Sequence, residues 1–220
     1  MSDSTTAVLL DIDGTLVDST YHHALAWHRA FARHETTPPI WRIHRTIGMG
    51  GDKLVAHVAG EEVEKRSGDK LRDAWKQEYA AVREEVLALP GAADLVRGLR
   101  ERGYRVALAS SGDPKFSREA VELVGIGEDI ELLTTSEDVD ASKPEPDLVG
   151  ETLARLGGIE RAVFVGDTPY DVEAAGRAGL RCLGVLSGGF GREELLAAGA
   201  ATVVDGPGDL LDLDWESYLS

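Results

Sequence analysis

The sequence holds a single cysteine, Cys182, so no internal disulfide can form. A reducing cytoplasm is therefore the expected compartment. The start, MSDSTTAVLLDIDG, lacks the basic segment and long apolar run of a secretory signal. Apolar runs fall far short of the roughly 20 residues that span a bilayer, and nothing repeats at solenoid periods. Basic residues are scarce: 23 Lys and Arg stand against 39 Asp and Glu, a net charge of −16. They are scattered rather than clustered, so a nucleic-acid duplex or an anionic membrane surface would be repelled. What is present, 220 residues with 43% hydrophobic and 28% charged, suffices for a core without disulfides or structural metal. That size suits one domain, or one with a modest insert.

Short apolar runs at Ala7 to Ile12, Arg105 to Ala109, Ile130 to Thr134, Ala162 to Val165, Arg181 to Leu186 and Ala201 to Val204 read as buried parallel strands. Helical patterns at Ala92 to Arg102, Pro114 to Val124, Glu145 to Leu156, Pro169 to Ala178 and Arg192 to Ala198 separate the later ones. Strand, helix, strand at this spacing predicts a doubly wound, Rossmann-like parallel α/β sheet. The interval after the first strand breaks the pattern. Trp27, Phe31, Leu54, Val58, Leu71, Trp75, Tyr79 and Val82 recur there at helical spacings, which predicts an inserted all-helical bundle. The expected division is a core of residues 1–17 and 90–220 with a helical cap of residues 18–89 over the carboxyl edge of the sheet, where open α/β sheets bind ligands. Trp215 and Tyr218 are expected to pack a last helix on the sheet.

Asp11 and Asp13 end the first strand on one side, with Ile12 opposite. Two carboxylates about 4 Å apart repel by roughly 4 kcal/mol at an effective dielectric near 20, so they need a cation or a shared proton. A hard ion such as Mg²⁺ suits an all-oxygen site, while two solvated surface acids are the plain alternative. A calcium loop would want glycine where Leu16 stands. Gly166-Asp167-Thr168-Pro169-Tyr170-Asp171 follows another strand; capping of the next helix explains one of its acids but not both. Ser110 and Ser111 follow the Val106 strand, either as phosphoryl-oxygen ligands or as turn serines. Lys143 precedes Pro144 and Pro146, either balancing the carboxylates and a phosphate or facing solvent.

The ordered set DxDGT, SS, KPEP and GDxxxD, each after an expected strand, resembles the haloacid dehalogenase superfamily of aspartate-nucleophile phosphatases, with the helical insert where its phosphoglycolate phosphatase and β-phosphoglucomutase members carry a cap. The resemblance implies that Asp11 attacks phosphorus and that Asp13 serves as acid and then base. It implies Mg²⁺ held by Asp11 and Asp167, the backbone carbonyl of Asp13, and Asp171 directly or one layer out. Ser110 and Lys143 would steady the transferring oxygens, with amides around Gly14 and Thr15 as further donors. Dehalogenases and the cap-lysine phosphonate enzymes of the superfamily lack the second acid, present here as Asp13, so P–O ester hydrolysis is expected.

The expected substrate is a small phosphorylated metabolite, and nothing in the sequence selects one ester or an oligomeric state. In the insert, His23 and Trp27 match hinge and substrate positions of the β-phosphoglucomutase branch, or else are core and surface residues. Arg45 and Lys53 flank a glycine-rich loop resembling the specificity loop; each is a candidate for meeting a substrate anion, or is simply solvated. The runners-up are a sugar-phosphate mutase on the same fold and a non-catalytic phosphate-binding module, for which Asp13 would have no use.

Overall fold

The computed structural model describes residues 5–219. Its sheet has six parallel strands: β1 (Thr6–Leu10), β2 (Arg105–Ala109), β3 (Leu132–Thr134), β4 (Arg161–Gly166), β5 (Arg181–Val185) and β6 (Thr202–Val204). They lie in the order β3-β2-β1-β4-β5-β6. The Rossmann-like α/β class is thus observed, and the order reverses between β1 and β4, the switch point at which such sheets open a ligand crevice. β1 is buried on both faces: Val8 and Leu10 join one hydrophobic cluster, Ala7 and Leu9 the other. Such double burial is why its sequence is continuously apolar rather than alternating.

Helices α5 (Ala92–Glu101) and α6 (Pro114–Val124) pack on the first face, and α7 (Asp147–Leu156), α8 (Pro169–Arg177) and α9 (Arg192–Ala198) on the second. Between β1 and α5 lie α1 (Thr20–Arg33), α2 (Ile40–His44), α3 (Gly51–Ala59) and α4 (Glu61–Val82). α4 buries Leu71, Ala74, Trp75, Tyr79 and Val82, spaced three and four apart, against α1 and α3. The two connections to this insert run side by side: the Asp18 amide donates to the Leu87 carbonyl at 2.9 Å and the Leu89 amide to the Leu16 carbonyl at 2.9 Å.

Two expectations need correction. Strand pairing in β1 stops at Leu10 rather than Ile12, because the chain turns where the Ile12 carbonyl accepts from the amides of Thr15, Leu16 and Val17. Among the described residues the carboxyl end has no last α-helix: Trp215 opens a short 3₁₀ turn and is buried, with its Nε1 donating to the Leu210 carbonyl at 3.0 Å. A single 3₁₀ turn suffices because that indole already has its apolar seat and its acceptor. No helix among the described residues is long and apolar enough to cross a membrane.

Candidate active site

The acids at the ends of β1 and β4 meet at the switch point because those strands are neighbours in register, Leu10 opposite Val165. Just past the strand the Asp11 amide donates to the Val165 carbonyl at 2.9 Å, which holds Asp11 beside the end of β4. Beyond it the chain reverses through Gly14, whose φ of +82° suits glycine; a Cβ there would collide with the Asp167 carboxylate. Thr168 caps α8, its hydroxyl accepting from the Asp171 amide at 3.2 Å while Asp171 Oδ2 accepts from the Thr168 amide at 3.0 Å. This reciprocal box, with Pro169 in the first turn, aims Asp171 back at the strand end. Capping therefore uses one oxygen of Asp171 and leaves Oδ1 for the site.

Asp11, Asp167 and Asp171 each place a carboxylate oxygen within 4.8 Å of the others, and all three are buried. Lys143, 1% exposed, sets its Nζ 2.5 Å from Asp11 Oδ1 and 2.7 Å from Asp171 Oδ1. Three carboxylates against one ammonium leave two negative charges when all are ionised, the charge of one divalent cation. Asp167 Oδ1 accepts from the Thr15 hydroxyl at 3.1 Å, but its buried Oδ2 has no hydrogen-bond partner. Buried polar atoms are nearly always satisfied, so a bare carboxylate oxygen beside two more acids fits a hard cation. Gly14 and Gly188 flank that oxygen, and a Cβ on either would fill the space around it.

Burial pushes the Asp11 carboxyl up to about 8; the Lys143 ammonium pulls it back while Asp171 and Asp13 add to the rise. Burial, then Asp171 and Asp11, drive Asp167 well above the usual carboxylate range. Burial also opposes the charge on Lys143, but Asp11 and Asp171 outweigh it and hold the ammonium protonated. Asp13 behaves differently. Burial raises it, yet His23, the Ser19 hydrogen bond and Lys143 together hold it below its ordinary value. Its Oδ1 accepts from Ser19 Oγ at 2.5 Å and lies 2.9 Å from His23 Nε2. One acid at this edge is thereby kept ionised while Asp11 and Asp167 are pushed towards the protonated form, the separation that acid–base chemistry uses.

Ser110 lines the same cavity; its hydroxyl accepts from the Gly112 amide at 3.0 Å. Ser111 Oγ accepts from the Lys143 amide at 3.4 Å and so helps place the lysine. The Gly14 and Thr15 amides do not face the cavity as donors: they donate to the Val17 carbonyl at 2.8 Å and the Ile12 carbonyl at 3.2 Å. That expectation is corrected, because the reversal after β1 uses those amides to close itself; Thr15 contributes its hydroxyl to Asp167 instead.

The cavity, about 460 Å³, lies between the sheet edge and the insert. His23 and Trp27 line it; His23 stacks on Tyr79 with centroids 3.9 Å apart and Trp27 on Trp75 at 5.3 Å. Arg45 and Lys53 are not among the lining residues. Arg45 is engaged outside, bidentate on Glu194 at 2.6 and 3.2 Å with its guanidinium over the Phe190 ring; Lys53 donates to the Ser142 carbonyl at 2.7 Å. Both tie the insert to the core, because their partners Glu194 and Ser142 belong to the core. The cavity's own cations are Arg72 and Lys76 of α4. Helical spacing sets both beside Trp75 but does not say which face meets the site. The signal for Gly188 was the Gly188-Gly189-Phe190-Gly191 run, which also reads as a plain turn.

The haloacid dehalogenase-like hydrolase family model matches residues 5–179. A crystal structure of a hydrolase from Pseudomonas syringae superimposes with a TM-score of 0.89 at 31% identity, covering 94% of this chain and 96% of that one. The N-acetylmuramic acid 6-phosphate phosphatase of Pseudomonas aeruginosa is 28% identical over 216 residues, covering 94% of this chain and 93% of its own. The phosphoglycolate phosphatase of Pseudomonas putida is 27% identical over 188 residues, covering 82% of this chain and 69% of its own. The chain therefore belongs to the haloacid dehalogenase-like hydrolases, an enzyme family in which both of these named relatives are phosphatases.

Proposed function

We propose that the protein is a Mg²⁺-dependent phosphomonoester hydrolase that acts on a small phosphorylated metabolite through an aspartyl phosphate on Asp11. The observation that carries this reading is the bare, buried Asp167 Oδ2, set with Asp11 and Asp171 beside an ionised Asp13. Asp11, Asp167, the Asp13 carbonyl and, directly or one layer out, Asp171 would hold the ion. When bound, Mg²⁺ offsets the charge of nucleophile and phosphoryl group and brings Asp11 down from its value of about 8 to the ionised form.

Asp11 attacks phosphorus, the ester P–O bond breaks, and the leaving oxygen takes a proton from Asp13. The charge of the arriving phosphoryl group raises Asp13 so that it carries that proton. Asp13 then takes a proton from water as the water oxygen attacks phosphorus, and phosphate leaves with Asp11 regenerated. Ser110 and the Lys143 ammonium steady the transferring oxygens, while Ser19 and His23 fix the direction of Asp13. Residues 1–17 and 90–220 carry this chemistry, and residues 18–89 act as the cap that selects the alcohol and excludes water.

The test is release of p-nitrophenol from p-nitrophenyl phosphate, with Mg²⁺ and with chelator, beside Asp11→Asn. Turnover that needs both the metal and Asp11 is expected; full activity in Asp11→Asn would sink the proposal. Label from isotope-enriched water should appear in the phosphate at each turnover, whereas a mutase would return the phosphoryl group to a second hydroxyl.

A further inference from the structure

The phosphoryl half of the substrate meets the sheet edge; the alcohol half must meet the remainder of the cavity, whose chemistry differs from that of a site for a second anion. About 460 Å³ falls within the range of pockets that enclose whole organic ligands, leaving room for an alcohol of several carbons. Arg72 and Lys76 line that space, yet neither is free. Arg72 pairs with Glu64 and Asp69, each at 2.8 Å, and donates to the Gly51 carbonyl at 3.0 Å. Lys76 pairs with Asp113 at 2.8 Å. Lys143 is shared by Asp11 and Asp171.

The acids are less fully matched. Glu137 and Asp140 also line the cavity, and among the described residues neither forms an ion pair. Both are exposed, at the rim. An ionised carboxylate only accepts hydrogen bonds, so a wall of carboxylates asks its ligand for donors, which hydroxyl and ammonium groups supply and a carboxylate or second phosphate does not. Trp27 and Trp75 line the same cavity and give it an apolar surface for a carbon skeleton, their rings stacked on each other 14° from parallel.

We infer that the substrate is a monophosphate whose alcohol part is a polyhydroxylated, uncharged or cationic group of several carbons, and not an ester that carries a second anion. This rests on the phosphatase reading and narrows it. An ester such as phosphoglycolate would bring its carboxylate to a rim with surplus negative charge and no unpaired cation.

The test compares kcat/KM of the full chain with Mg²⁺ on a hexose monophosphate, a hexosamine monophosphate, phosphoglycolate and a hexose bisphosphate, with p-nitrophenyl phosphate as reference. The two hexose monoesters should exceed phosphoglycolate and the bisphosphate by at least about tenfold. Replacing both rim acids, Glu137→Lys with Asp140→Lys, should shrink that ratio at least about threefold, with an unchanged circular dichroism spectrum showing that the variant folds. Phosphoglycolate or the bisphosphate turned over as well as the hexose esters, or a ratio that the double variant does not move, overturns the inference. Loss of every activity, p-nitrophenyl phosphate included, instead overturns the phosphatase reading. Calorimetric affinities of the same esters for Mg²⁺-loaded Asp11→Asn then still read the preference: the same order supports the substrate class, and equal affinities reject it.

Discussion

The two walls of the cavity are built differently. At the sheet wall Asp11 lines the cavity and Asp167, Asp171 and Lys143 stand beside it, all four almost wholly buried; the three acids sit just after strand ends or in a helix cap, and Lys143 bridges Asp11 and Asp171. On the helical wall the side chains come from α1, α3 and α4 and from the loop before α3. There the charges are neutralised in pairs, and side-chain contacts such as Lys76–Asp113 and Asp52–Ser142 make the connection to the sheet half. Backbone pairing fixes the first wall to within a hydrogen bond, which group transfer needs. The second tolerates variation, which substrate choice needs.

Substitutions can break or sharpen this contrast. Asp11→Asn, nearly isosteric, should abolish metal-dependent p-nitrophenyl phosphate hydrolysis, a loss of about 10⁴-fold or more in kcat, with an unchanged circular dichroism spectrum. Asp13→Asn should lower kcat by about 10²- to 10⁴-fold and leave Mg²⁺ affinity by calorimetry nearly as it was. Gly188→Ala puts a methyl against Asp167 Oδ2, and should weaken Mg²⁺ activation by about 10- to 100-fold, read from the metal dependence of the rate. Lys76→Met, on the other wall, removes a half-exposed ion pair to Asp113. It should cost no more than about 1 kcal/mol in urea unfolding and leave p-nitrophenyl phosphate kcat within a few-fold. A kcat loss in Lys76→Met to match that of Asp13→Asn would erase the distinction between the walls.

Legibility differed in the same way. Asp11, Asp13, Asp167 and Asp171 were readable because an apolar run that stops at an acid marks a strand end, and strand ends of a parallel sheet share one edge. Within the insert, helical spacing showed that Trp27 and Trp75 belonged to a bundle, yet several helix faces bury apolar residues and spacing does not say which one meets the sheet. Arg45 and Lys53 looked like anion ligands from their place beside glycines; their partners, Glu194 and the Ser142 carbonyl, lie far along the chain. His23 is a candidate from its place close after the first acidic motif, but its 2.9 Å contact with Asp13 follows from how α1 leaves the turn after β1.

By itself the sequence determined the alternation of strands and helices, the place of the helical insert and the identity of the acids, because these rest on local periodicity and on chain order. Tertiary structure alone decided that β1 and β4 are neighbours, so that residues more than 150 positions apart share one cluster. It also decided which cations are already neutralised and which carboxylate oxygen is left bare. Those outcomes depend on distances between side chains brought together by strand order and domain packing, and electrostatic energies change with ångströms rather than with sequence separation.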